Sequence, residues 1–175
     1  MSCILFDIVQ KNNSPQSIRF RNNDGTLCLF DTGANFPVWC TGPDSLQVQY
    51  PDAYIDKDAK AIIKGFGGDG TISDVYCIPL LTLSDGKDNL CIKNLWVAVC
   101  KRDFECDLIL NYPLFNLSNI SIKTFTKRNE MHRIKPTLRI DTFKHELYAK
   151  NEYVEKDSIK YFRKAYCLVS EAGEV

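Results

Sequence analysis

The run Leu29-Phe30-Asp31-Thr32-Gly33-Ala34 is the part of this chain whose residue types and order can do chemistry. An apolar run ends in a carboxylate, and a hydroxyl and a glycine follow at once. A strand approaching through a core would hold that carboxylate rigidly at the rim. Gly33 lets the backbone turn sharply and lets a second backbone or a substrate come close. Thr32 supplies a hydroxyl that can lock the turn through a side-chain hydrogen bond. Taken alone, these residues describe an ordinary strand-to-turn junction equally well, since aspartate and glycine are common there. Other chemistries find less support. His132 and His145 stand thirteen residues apart and no Cys-x-x-Cys occurs, so no compact metal-ligand set is offered. Cys40 and Cys106 lie in loop-like contexts without a sequence-evident base. The glycine cluster Gly65-Phe66-Gly67-Gly68-Asp69-Gly70 lacks the Gly-Lys-Ser/Thr of a phosphate loop.

The elements that must position Asp31 read as β. Ile4 to Val9 is a short apolar strand, and Ser17 to Arg21 alternates polar with apolar residues, as a half-buried strand does. Asn22-Asn23-Asp24-Gly25 is a hairpin signal, because Asp-Gly accepts the positive φ of tight turns. Thr26 to Phe30 is the returning strand, and it runs straight into Asp31. Pro37, Pro43 and Pro51 rule out long regular elements through Asp58. Strands at 59–64 and 71–76 flank the glycine cluster, and two more are expected at 76–83 and 92–100. Leu108-Ile109-Leu110 is an apolar strand followed by one helical turn around Pro113, and Ile120 to Thr124 alternates again.

In this setting Asp31-Thr32-Gly33-Ala34 resembles the active-site signature of the retropepsin-like aspartic proteases. Three further features keep the family's order. The hairpin from Ile18 to Phe30 is similar to the strand pair that delivers the catalytic loop. Gly65 to Gly70 resembles the mobile flap that closes over bound peptide. The run Asp107-Leu108-Ile109-Leu110-Asn111, continuing through Tyr112-Pro113-Leu114-Phe115, resembles the strand and short helix packed behind the active site. The likeness spans about residues 4–124 and is closest to single-domain bacterial members. One position departs from the pattern: Asn111 replaces a glycine. Asparagine is the next most tolerant residue in left-handed backbone, which would keep the turn.

The resemblance implies a mainly β, acid-protease fold: a closed, barrel-like domain with a flap hairpin and one short helix, over residues 1–124. A C-terminal extension, 125–175, would follow as an appendage. It implies catalysis by Asp31, Thr32 and Gly33, and substrate contacts from Ala34, Asn35, Phe66, Gly67 and Gly68. Such enzymes need two carboxylates sharing one proton. The chain holds one Asp-Thr/Ser-Gly only, since Asp141-Thr142 is followed by Phe143. An active form is therefore expected to be a symmetric homodimer, one Asp31 from each subunit. The substrate would be an extended peptide or protein segment, and no metal or organic cofactor is implied. Phe36, Val38, Ile63 and Phe66 are candidate pocket linings, with Val38 better read as core. The rival expectation is a silent module that keeps the fold and binds peptide or assembles without cutting.

Composition sets the frame. At 175 residues the chain can bury a real core. Lys plus Arg equals Asp plus Glu, 22 of each, which gives no reason to expect nucleic acid or an anionic membrane as partner. No stretch reaches the ~20 apolar residues of a membrane span, and Asp7 interrupts the start before a signal-peptide core could form. Eight cysteines mostly embedded in apolar runs read as reduced core thiols. A cytoplasmic protein is the expectation. Beyond residue 125 lysine and arginine become frequent, with strand expected at Leu138 to Phe143 and helix at Lys156 to Tyr166.

Overall fold

The computed structural model describes residues 2–9, 18–63, 70–115, 120–128 and 134–170. The chain is mainly β, with a closed five-stranded barrel. Its strands are β1 (Ser2–Asp7), β2 (Ile18–Arg21), β3 (Leu27–Asp31), β4 (Val38–Trp39), β5 (Tyr54–Ile63), β6 (Thr71–Ser84), β7 (Asn89–Val99), β8 (Leu108–Asn111), β9 (Ile120–Arg128), β10 (Ile134–Thr142), β11 (Glu146–Lys156) and β12 (Ile159–Leu168). A seven-residue helix, α1 (Pro43–Gln49), and a 3-10 turn at Tyr112–Phe115 complete the described elements. Pro43 starts α1, where a missing N–H costs nothing.

The barrel runs β11-β12-β5-β6-β7 and closes because β11 also pairs with β7. From β7 the same sheet continues through β4, β8 and β3 to β2, while β1, β10 and β9 form a separate three-stranded antiparallel sheet. The alternation of apolar residues explains the barrel wall. Val75, Cys77, Leu81 and Leu83 of β6 face inward with Leu90, Ile92, Leu95 and Val97 of β7, all buried. The stretch expected as two strands from 71 to 83 is one continuous strand, β6. Pro79 interrupts only one rung, where the register passes from Ile78–Leu95 to Leu80–Lys93 and Asn94 takes a positive φ of 56°.

Two expectations about the C-terminal part are corrected. The helix expected at 156–166 is strand β12, in which the buried positions Phe162, Ala165 and Cys167 line the inner side. Nor are the described residues after 125 an appendage. The 124/125 boundary falls inside β9, β10 pairs with β1 along six residues, and β11 and β12 close the barrel against β7 and β5. Phe162 shows why: its ring stacks on Trp96 at 5.8 Å and 16°, and tilts against Phe36 and Tyr153. Without the β11–β12 hairpin that aromatic cluster would face water. No helix among the described residues is long and apolar enough to cross a membrane.

Candidate active site

Three short strands carry Asp31. β8 lies between β3, to which it is parallel, and β4, to which it is antiparallel. The chain therefore rises along β3, crosses over the end of β8 in the loop 32–37, and descends along β4 on the other side. β8 is buried along its whole length, with Leu108, Ile109, Leu110 and Asn111 all inside. Phe30 packs edge-on against Phe115 at 5.5 Å and Tyr112 at 6.0 Å, which fixes the last turn of the approach. Phe36 and Pro37 are buried and pin the far end of the loop. Between these anchors Asp31 is half-buried, while Thr32, Gly33 and Asn35 are exposed.

The turn is closed by the aspartate itself. Gly33 N donates to Asp31 Oδ1 at 2.8 Å, and Ala34 N reaches Asp31 O at 3.4 Å. Thr32 was expected to lock this turn, but among the described residues its hydroxyl has no partner. Gly33 was expected to let the backbone turn sharply, and it does lie in the turn, without the positive φ of Gly25, Gly42 and Gly86. What its missing side chain provides is open space: a Cβ there would stand 3.4 Å from Asp31 Oδ1, over the carboxylate.

Asn111 is likewise reinterpreted. Its backbone is ordinary strand within β8, so left-handed tolerance has no part in its presence. Its fully buried side chain works instead as a two-way clasp. Nδ2 donates to Asn35 O and to Ala165 O, each at 2.9 Å, and Ala165 N donates to Asn35 O at 3.0 Å. β12 is thereby tied to the loop that follows Asp31. The Oδ1 atom of Asn111 is buried with no protein donor. Sequence reading singled out Asn111 but had no signal for its partner, because Ala165 lies 54 residues away.

The structure thus brings Asp31, Thr32, Gly33, Ala34 and Asn35 into one loop. Phe66, Gly67 and Gly68, and with them most of the expected flap, lie outside the described residues. Their flanks are strands: Ile63 pairs with Thr71 in an antiparallel ladder. Of the candidate pocket linings, Phe36, Val38 and Ile63 are all buried core. An open cavity of about 550 Å³ lies elsewhere, lined among others by Arg21, Cys40, Lys101, Arg102 and Cys106. No family model matches this chain, and no curated protein or solved structure does either.

Proposed function

We propose that this chain is an aspartic endopeptidase of the retropepsin type, acting as a homodimer that pairs two Asp31 carboxylates. The observation that carries the reading is the Asp31 loop itself: a carboxylate at the end of a core strand, anchored on both sides of a buried β8, with its neighbours open to solvent. One carboxylate oxygen holds Gly33 N, which fixes its orientation. Two such groups ~3 Å apart cannot both ionise, so the pair shares a proton. The ionised member takes a proton from a bound water, which attacks the scissile carbonyl. The protonated member hydrogen-bonds the carbonyl oxygen, and the roles reverse as the leaving nitrogen is protonated. Thr32 would grip the catalytic loop of the other subunit, and Gly33 N orients the carboxylate. Ala34 and Asn35 would meet the peptide from below, and Phe66, Gly67 and Gly68 from the flap. In the proposal the retropepsin likeness is carried by the strands before residue 124, with β10 to β12 as integral parts of the same fold, and the protein works in the cytoplasm with its thiols reduced. All eight cysteines are free in this structure, which supports that setting. A second copy has a place to join: β9 is the edge strand of its sheet, and an unpaired strand edge is a template for strand addition.

One observation favours the second reading, a silent peptide-binding or assembly module. β12 lies along β5, the strand leading to the glycine cluster, and is hydrogen-bonded to Asn35 in the Asp31 loop. It takes up strand edge that an extended peptide would otherwise use. Incubating the protein and Asp31→Asn with a diverse peptide library from acidic to neutral pH separates the two. Cleavage by the wild type alone supports the peptidase. A folded dimer that cuts nothing supports the module, and equal cleavage by both proteins discards the Asp31 mechanism.

A further inference from the structure

Three of the eight cysteines stand on neighbouring backbone segments at a place that the Asp31 chemistry does not use. Cys40 ends the segment after β4, Cys100 follows β7, and Cys106 precedes β8. The strands bring the first two into register. Val38 pairs with Ala98 and Trp39 with Val99 in a parallel ladder, and just beyond, Thr41 and Lys101 form a bridge. The Thr41–Lys101 bridge is antiparallel, and Cys40 and Cys100 sit between it and the parallel pair on adjacent segments. Backbone bonds hold both sides: Cys100 N donates to Trp39 O at 2.9 Å and Arg102 N to Cys40 O at 3.0 Å. Neighbouring strands stand ~4.8 Å apart, inside the ~4.4–6.8 Å range of Cα separations that a disulfide spans. On the other side Cys40 N donates to Asp107 O at 2.8 Å, which brings Cys106 alongside. The Cys40 thiol donates to Val38 O at 3.7 Å and lies near enough to Cys100 and Cys106 to shift both thiols.

We propose that Cys40 and Cys100 are a peroxide-reactive dithiol that closes to a reversible disulfide, bracing the end of β4 to the end of β7 at the Asp107 end of β8, away from the Asp31 loop. The electrostatics divide the labour. The Cys40 hydrogen bond lowers the Cys100 thiol to about 7 against the opposing effect of burial, and Arg102 helps. Cys106 is also lowered by Cys40, with Arg19 assisting and burial and Asp107 opposing. Cys40 is pushed far up by its bonds to Cys100 and Cys106 and by burial, so it stays protonated as the donor. Cys100 is half-exposed and so open to a small oxidant, while Cys40 and Cys106 line a neighbouring cavity. The chemistry balances in two steps. The Cys100 thiolate attacks one oxygen of hydrogen peroxide, an S–O bond forms as the O–O bond breaks, and the departing hydroxide takes a proton to become water. The Cys40 sulfur then attacks the sulfenic sulfur of Cys100. The S–S bond forms, the S–O bond breaks, and the oxygen leaves as a second water with the Cys40 proton. A small thiol reductant reverses it by exchange.

The test uses the intact chain with low hydrogen peroxide at neutral pH, followed by alkylation and peptide mapping without reductant. The expected product has lost the mass of two hydrogen atoms, carries a linked Cys40–Cys100 peptide, and returns to the dithiol with dithiothreitol. Cys40→Ala should leave Cys100 as a sulfenic acid that dimedone traps, while Cys77→Ser should behave as wild type. Cys40 left fully alkylatable after peroxide treatment, or linked to Cys106 in place of Cys100, would overturn the assignment. The wild-type map decides the matter even if Cys40→Ala does not fold. None of these readouts depends on peptide cleavage, so the outcome is independent of the peptidase proposal.

Discussion

At the scale of single residues, Asp31 and Asn111 separate chemistry from architecture. Among the described residues the Asp31 side chain accepts a bond from the neighbouring Gly33 N, which asparagine can imitate with its own carbonyl oxygen. Asp31→Asn is therefore expected to abolish peptide cleavage while leaving the thermal unfolding midpoint within a degree or two of wild type, about the scale of a near-neutral substitution. Asn111 should show the opposite pattern. Asn111→Ala removes both bonds that clasp Asn35 and Ala165 and strands a buried carbonyl, a loss of about 1–3 kcal/mol measurable by urea unfolding. Asn111→Gly, although it restores the residue usual in the retropepsin pattern, should be destabilised by at least as much. Asp85 provides a pH signature. Partial burial alone would raise its carboxyl, but N–H groups of Leu5, Asp88 and Lys87 outweigh it and hold the group below its ordinary value. A carboxyl depressed in the folded state stabilises above its unfolded value, and that contribution disappears as pH falls through the folded value. Asp85→Asn should lose this part of the acid sensitivity, seen as a flatter stability-against-pH curve below about pH 4.

Among the elements, the β11–β12 hairpin decides whether there is a barrel at all. It supplies the strands that join β5 to β7, and its Phe162 ring fills the space between Trp96 and Phe36. Phe162→Ala is expected to cost about 3–5 kcal/mol, and ending the chain near residue 124 should give a protein without a cooperative unfolding transition. Survival of a folded 1–124 fragment would instead mean that the earlier strands close on their own.

For the whole molecule, the peptidase reading makes a demand that one subunit cannot meet. Two Asp31 carboxylates must meet across a two-fold axis, so activity should follow the square of the intact fraction of subunits. Mixing wild type with an equal amount of Asp31→Asn, after subunit exchange, should leave about one quarter of the activity of the same total wild-type protein. One half would mean that each subunit works alone. Light scattering on the eluting peak should give a dimeric mass under the assay conditions.

The strands around Asp31 were legible because their causes are local. Alternation at Ser17–Arg21, the Asp24-Gly25 turn and the apolar run Leu27–Phe30 each act within a few residues, and the structure has the corresponding hairpin β2–β3. A mainly β chain with a carboxylate at a strand end followed from that alone. The stretch after 155 misled because Ile159, Phe162 and Ala165 have helical spacing, while the strand they form answers to β5 and Trp96, far off in the chain. Long-range partners overrule local periodicity wherever a strand edge is waiting to be paired. The same holds for Asn111, whose type is explained by Asn35 and Ala165, and for Cys40 and Cys100, sixty residues apart and in register only because β4 lies beside β7. The sequence by itself determined the β character and the candidate aspartate, since both rest on neighbours in the chain. Barrel closure, the clasp on the Asp31 loop and the meeting of the thiols were decided only by the tertiary structure, because each depends on strand pairing between residues the sequence keeps far apart.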